Sequence, residues 1–172
     1  MVDLAQHYRH SVLRERIIEH DFVGNALRRL WQLGVTDVHV LRSEFDADGY
    51  DIVMSRGRIL RHIQFKSVLD VGKTSHTKIS LKLSDQPSGC VVWIVVTSGL
   101  DPVSYLWFGG RPGEPLPEIR DMKVAKHTKG NAEGVKVPRP DHRTVLRSRF
   151  EALPSLDDVL RRLFGDGVID RA

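Results

Sequence analysis

The apolar run CVVWIVVT at residues 90–97 constrains the fold of this chain more than any other segment. Successive side chains of a strand point to opposite faces, so a strand with this sequence would be apolar on both of them. Such a strand has to be covered from both sides. The run therefore predicts a strand inside a sheet that carries other layers of structure on each face.

The rest of the chain predicts helices near both ends and further strands between them. Residues 11–33 place apolar side chains at steps of three and four, with Ser11 as the N-cap and Gly34 as the stop signal. A closing helix is predicted at 155–165. The other predicted strands are 37–41, 50–55, 58–68 and 103–110, with a Gly-containing hairpin turn at 55–58. This order predicts an α/β fold with a mixed central sheet flanked by helices.

Two segments lack a clear apolar pattern. Residues 71–89 are polar and predict a short helix or an ordered loop. Residues 110–149 are rich in Gly, Pro and charged residues and predict a long irregular arm, in which positions 121–149 hold eight Lys or Arg against three acids. We therefore expect a core of about residues 11–109, a basic arm at 110–149 and the closing helix at 155–165.

Length and composition favour one domain in a reducing compartment. A chain of 172 residues with 41% hydrophobic residues is long enough for one sizeable core and too short for two ordinary domains. The single cysteine, Cys90, cannot form an internal disulfide and is expected to be a small buried hydrophobic residue. The longest apolar run is far shorter than the roughly 20 residues of a membrane span. We expect a cytoplasmic protein without a membrane-spanning segment.

The stretch LRHIQFKSV at residues 60–68 places three polar side chains on one face of a predicted strand. His62, Gln64 and Lys66 are two residues apart, so they follow one another at about 6–7 Å. The predicted hairpin brings Asp51 back beside Gln64 and Lys66. Mg²⁺ prefers oxygen ligands, and a nearby lysine can stabilise charge on an attacked phosphate or help to deprotonate the attacking water. These residue types point to metal-dependent phosphodiester cleavage.

The sequence GYDIVMSRGRILRHIQFK, with Asp51 followed by Gln64-x-Lys66, resembles the active-site hairpin of the PD-(D/E)xK, or restriction-endonuclease-like, nuclease superfamily. Its Gln-x-Lys form is similar to that of Mrr-type restriction enzymes. The stretch IIEHDFVGNALRRLWQLG resembles the N-terminal helix that supplies a glutamate in archaeal Holliday-junction resolvases. The resemblance implies a restriction-endonuclease-like fold and an Mg²⁺-dependent endonuclease or deoxyribonuclease. Mn²⁺ is the alternative ion, and DNA is the expected nucleic acid.

The resemblance also implies roles for individual residues. Asp51 would be the central metal ligand, and Gln64 would occupy the ligand position that usually holds a second acid. The Phe65 backbone carbonyl would bind the metal, and Lys66 would be the catalytic lysine. Glu19 would match the helix glutamate, as a catalytic residue and metal ligand. Further residues expected near the metal are Glu44, Asp46 and His62, with turn formation as the alternative for the two acids.

The helical pattern predicts that Glu19 is buried and needs a partner. Its helical face is otherwise apolar and holds Phe22, Val23, Ala26 and Leu30. An unpaired carboxylate buried there would cost roughly several kcal/mol, so a metal, a lysine or hydrogen-bond donors should lie beside Glu19. The spacing from this residue to Gly34 is a few residues longer than the resolvases lead us to expect. The choice among Glu15, Glu19 and Asp21 therefore stays open.

The basic segment 126–143 predicts contact with nucleic acid. Its glycines would let the backbone lie close to phosphates while the cations neutralise them. The predicted nucleic-acid-binding residues are Lys126, Lys129, Lys136, Arg139 and Arg143. In the alternative, this segment packs on a sister subunit of a homodimer. A catalytically inactive nucleic-acid-binding or protein-interaction module on the same fold is the alternative to a nuclease, and the form of the substrate stays open.

Overall fold

The computed structural model describes residues 4–43, 48–127 and 134–170. Its helices are α1 (Leu4–Arg9), α2 (Ser11–Gln32), α3 (Leu81–Ser84) and α4 (Leu156–Phe164). Its strands are β1 (Val38–Leu41), β2 (Ile52–Arg56), β3 (Ile59–Leu69), β4 (His76–Ser80), β5 (Gly89–Val96), β6 (Pro102–Gly109), β7 (Val124–Lys126), β8 (Pro138–Leu146) and β9 (Glu151–Leu153). Short 3-10 helices lie at Arg147–Arg149 and Asp166–Val168. None of the described helices is both long and apolar enough to cross a membrane.

The strands form two sheets. The larger sheet has six strands in the order β1-β2-β3-β5-β6-β9, and the smaller has three in the order β4-β8-β7. Among the described strands, only β3 and β5 pair in parallel, and every other pair in the two sheets is antiparallel. A parallel pair needs a crossover connection, which here carries β4 and α3. The prediction of an α/β fold with a mixed central sheet is therefore confirmed.

The strand β5 lies between two layers, as its sequence predicted. All eight of its residues are buried. One of its faces packs against α2 and α4 through a core that includes Phe22, Leu30, Val92, Ile94 and Leu160. The other face packs against the smaller sheet and α3 through a second core that includes Ile79, Leu83, Val91, Trp93 and Val145. Cys90 is fully buried, and burial raises the pKa of its thiol to about 11.

Helix and turn signals are mostly found where the sequence placed them. Gly34 ends α2 with a φ of +70°, and Gly57 turns the β2–β3 hairpin with a φ of +55°. Ser155 caps α4 through a reciprocal pair of hydrogen bonds with Asp158. The predicted N-cap of α2 is wrong by one residue, because Ser11 is already helical and His10 precedes it without a side-chain cap.

Three sequence predictions are corrected by the fold. Residues 71–89 contain β4 in addition to the short helix α3. The arm at 110–149 is not irregular throughout, because it contributes β7 and β8, whose backbone groups pair with each other and with β4. The core also extends beyond residue 109, since β9 joins the larger sheet and α4 packs in its core.

Candidate functional site

The predicted active-site hairpin forms with Asp51 just before the first residue of β2. Ile52 pairs with Ile63, and the Asp51 N–H donates to the Ile63 carbonyl oxygen at 2.8 Å, so Asp51 lies across from Gln64. The Phe65 N–H donates to Asp51 Oδ2 at 2.6 Å. This bond fixes the carboxylate at the point where β2 begins, beside the part of β3 that has left β2 and still pairs with β5.

A glycine allows the chain to approach this point. Gly49 has a φ of +77°, a left-handed conformation that other L-residues rarely adopt. A Cβ on this residue would lie 2.8 Å from the Cβ of Ser80 and 3.1 Å from the Leu83 backbone nitrogen. The segment before Asp51 therefore passes close to β4 and α3, which brings the hairpin next to the smaller sheet.

Asp51 and Lys66 lie where two cavities meet. The first has a volume of about 330 Å³ and is bordered by Glu19, Phe65 and the first turns of α2. The second has a volume of about 700 Å³ and is bordered by Gln64 and by residues of β4 and β8. Both cavities share Glu15, Asp51, Lys66, His76 and Thr77. We call this continuous groove the cleft, and Asp51 and Lys66 mark its centre.

Gln64 presents a buried acceptor in the cleft. Its residue exposure is 9%, and its Oε1 has no hydrogen-bond partner among the described residues. Burying an amide oxygen without a partner costs free energy unless a ligand or water completes it. Gln64 therefore has the property expected of a group that binds a ligand beyond the residues that the structure describes.

The Phe65 carbonyl lies on the same side of β3 as the Phe65 N–H. This follows because the N–H and C=O of one strand residue point to the same neighbouring strand, and Asp51, just before β2, accepts the Phe65 N–H. Asp51 and Gln64 border one cavity, so a carboxylate, an amide oxygen and this carbonyl are the candidate ligands. Mg²⁺ is commonly bound by one or two carboxylates and keeps several waters, so these three oxygens suit it. No group of three or more His, Cys, Asp or Glu side chains suited to a metal occurs in the described part of the chain.

Glu19 is buried as predicted, and arginines satisfy it. It is 4% exposed, Arg16 Nη1 donates to its Oε2 at 3.0 Å, and Arg42 Nη1 donates to its Oε1. These guanidinium groups are the hydrogen-bond donors that a buried Glu19 was predicted to need, and they balance the charge of its carboxylate without a metal. Glu15 also borders the cleft, whereas Asp21 borders a different, smaller cavity. Of the three acids left open by the sequence, only Glu15 and Glu19 therefore lie at the cleft.

His62 lies in the same row of β3 as Gln64, further from Asp51. Its ring packs edge-on against Tyr50 at 4.9 Å, and its Nδ1 is buried without a partner among the described residues. Burial lowers the pKa of His62 despite the opposing charge of Asp48. The neutral ring suits a packing or hydrogen-bonding role. Glu44 and Asp46 lie outside the described residues.

The predicted nucleic-acid-binding residues are not all at the cleft. Arg139 borders it. Arg143 instead holds a loop, because its guanidinium donates to the carbonyl oxygens of Arg120 at 2.9 Å and Pro140 at 2.6 Å. Lys126 is exposed on β7, and Lys136 is exposed just before β8. Lys129 lies outside the described residues.

The structure adds cleft residues that the sequence did not indicate. They come from β4, α3 and β8, and they are His76, Lys78, Lys82 and His142. The β4 sequence HTKIS does contain an alternation around Ile79, but one apolar residue in a short polar segment is too weak a signal to define a strand. This chain matches no protein-family model and no curated protein.

Proposed function

We propose that this protein is an Mg²⁺-dependent nuclease of the restriction-endonuclease-like fold, which hydrolyses phosphodiester bonds of nucleic acid, with DNA as the expected substrate. The observation that carries the proposal is the hydrogen bond from the Phe65 N–H to Asp51, with Gln64 and Lys66 beside it in one cleft. The resemblance to PD-(D/E)xK nucleases implies that Asp51, Gln64 and Lys66 act together, and their shared cavity supports that part of the proposal.

The topology supports the same proposal. An antiparallel meander of β1, β2 and β3 is followed by a crossover to β5, which is parallel to β3, and α2 covers one face. Gln64 and Lys66 lie on β3, and Asp51 directly precedes β2, to which β3 pairs. A rigid sheet can hold catalytic groups within the narrow tolerances that catalysis needs.

In this proposal Asp51, Gln64 and the Phe65 carbonyl would hold the magnesium ion. The bound ion would act as a Lewis acid and lower the pKa of a water molecule. The Phe65 N–H keeps one Asp51 oxygen fixed, so the carboxylate is oriented before substrate binds. Lys66 would hold the attacking water or stabilise the negative charge that develops on the phosphate. Mn²⁺ would be bound by the same oxygens.

Glu19 has a positioning role in this proposal. It accepts hydrogen bonds from both Arg16 and Arg42, and Arg16 borders the cavity on the α2 side of Asp51. The buried carboxylate would therefore hold a guanidinium at the edge of the cleft, where it can contact a phosphate of the substrate.

Cleavage assays with matched variants test the proposal. Labelled duplex, single-stranded and branched DNA and RNA are incubated with the parent protein in Mg²⁺, in Mn²⁺ and in chelator. Asp51→Asn and Lys66→Met should each lower the rate by about 100-fold or more, because each removes a charge that acts in the transition state. Asp70→Asn removes an exposed acid just beyond β3 and should leave the rate unchanged. Cleavage that survives Asp51→Asn or that needs no metal would refute the proposal.

One observation favours a second candidate, a nucleic-acid-binding module that does not cut. The arginines already balance Glu19, which leaves Asp51 as the single carboxylate in the proposed donor set. Such a module would bind DNA in a salt-dependent way in chelator, and binding would survive Asp51→Asn. In the same assay it would produce no cleavage with any substrate or ion.

A further inference from the structure

The smaller sheet turns one polar face toward the cleft. Ser80 pairs with His142, and Lys78 pairs with Thr144, so Lys78 and His142 lie on the same face of the β4–β8 ladder. The opposite face carries Ile79 and Val145, which are fully buried in the second core. Because the apolar face is held by the core, the polar face stays fixed along the cleft.

Three side chains of this sheet, Lys78, Arg139 and His142, form what we call the cationic wall. They border the 700 Å³ cavity together with Gln64 and Lys66 of β3. The acids bordering this cavity are Glu15, Asp51 and Asp141. The wall and the candidate ligands Asp51 and Gln64 therefore border the same cavity, and the wall comes from β4 and β8, outside the β2–β3 hairpin.

The contact between Arg139 and His142 defines the protonation state of the histidine. Arg139 Nη2 lies 3.0 Å from His142 Nε2, and arginine can only donate, so Nε2 accepts and the proton is on Nδ1. The neutral state agrees with the lowered pKa of His142, which results from burial and then from the charges of Arg139, Lys66 and Lys78. His142 thus holds Arg139 at the cleft and keeps an Nδ1–H donor of its own.

Like charges are crowded at this wall. Lys78 has a lowered pKa, caused by burial and then by the charges of Arg139 and Lys136. Crowded cations disfavour one another in the free protein, and an anion that binds among them removes this repulsion. Two adjoining strands that carry a lysine, an arginine and a donor histidine provide the groups with which proteins bind phosphate.

We infer that the cationic wall binds a second phosphate of the nucleic-acid strand, next to the phosphate at Asp51 and Lys66. The inference rests on the proposed function for the identity of the ligand, but binding at the wall needs neither metal nor cleavage. It defines the substrate class as a chain of several nucleotides. A small phosphodiester with a single phosphate would reach the hairpin but would leave the wall empty.

Binding in chelator tests the inference separately from catalysis. The probes are fluorescently labelled single-stranded DNA, duplex DNA and RNA, and affinity is measured by anisotropy at salt concentrations from about 50 to 200 mM. Lys78→Gln and Arg139→Gln should each weaken binding about tenfold and lower the slope of log affinity against log salt by about 1. Arg58→Gln removes an equal charge at the far end of the β2–β3 hairpin and should change affinity less than twofold.

The outcomes separate the two proposals. Weakened binding by both wall variants, with Arg58→Gln unchanged, supports the wall even if the parent protein cuts nothing. Equal losses in all three variants, unchanged binding by the wall variants, or no binding by the parent would overturn it. Thermal unfolding checks each variant, and if Arg139→Gln does not fold, Lys78→Gln alone decides. If the parent cuts oligonucleotides and a small aryl phosphodiester, the wall variants should slow only the first reaction.

Discussion

Replacing Gln64 by methionine should stabilise the protein in chelator and abolish the proposed nuclease activity. Gln64 is 9% exposed, and its Oε1 has no partner among the described residues. An unpartnered buried acceptor costs about 1–3 kcal/mol, and methionine is similarly long and unbranched but lacks the amide oxygen. We therefore expect Gln64→Met to raise the free energy of unfolding by about 1–2 kcal/mol. For a chain of this size the melting temperature would rise by about 2–8 °C.

The assay compares thermal and urea unfolding of the parent and Gln64→Met in chelator, followed by cleavage in Mg²⁺. Gln32→Met is the matched control, because Gln32 is exposed at the end of α2 and should affect neither measurement. A gain in stability combined with a loss of cleavage would mean that Gln64 is kept for function at a cost in stability. A Gln64→Met protein that is less stable than the parent, or equally active, would refute the reasoning.

Two further predictions concern the scaffold of the cleft. Gly89→Ala should lower the free energy of unfolding, measured by urea unfolding, by about 1–3 kcal/mol, because the new Cβ would lie 2.5 Å from the Leu83 carbonyl oxygen. Gly24→Ala is the control and should not be destabilising, because its new Cβ would meet nothing within 4 Å. Asp157 accepts two hydrogen bonds from Arg29, at 2.7 and 2.6 Å. Hydrogen bonding to the Arg29 guanidinium lowers the pKa of the Asp157 carboxyl. The pair therefore stabilises the fold above about pH 4, and this stabilisation is lost as the carboxylate is protonated in acid. Asp157→Asn should therefore lower the free energy of unfolding by about 1 kcal/mol at pH 7, a value reduced by the partial exposure of the pair, and by almost nothing near pH 2. An equal loss of stability at both pH values would contradict the stabilising role of the charged pair.

The parts of the fold with strong apolar patterns could be predicted from the sequence. The run around Trp93 is buried on both faces, and the alternation before Gln64 and Lys66 gives the hairpin strand that carries them. The strands β4, β7 and β8 could not be predicted, because each buries few side chains and their partners are distant in the chain. Apolar residue type alone also misleads on α2, because Trp31 belongs to this helix and is 73% exposed.

The residues of the candidate site also differ in how far the sequence could predict them. The sequence brings Asp51, Gln64 and Lys66 together, because one short hairpin and a period of two are enough to define their relation. The partners of Glu19 could be predicted as a need for donors, but not as Arg16 and Arg42, because the position of Arg42 depends on tertiary packing. Of the cationic wall only Arg139 was predicted to contact nucleic acid, because Lys78 becomes a neighbour of Arg139 and His142 only when β4 pairs with β8.

The pairing of β4 with β8 also has a consequence for the order in which the chain matures. Within the described ranges, β4 pairs with β8 alone, and β5, β6 and β7 are made between them. A chain emerging from the ribosome can form the β2–β3 hairpin early. The partner strand of β4, however, is available only after most of the protein has been synthesised. The nascent chain therefore carries Asp51 and Lys66 before β8 can complete the cleft, and a truncation before Pro138 would leave β4 as an exposed edge open to aggregation.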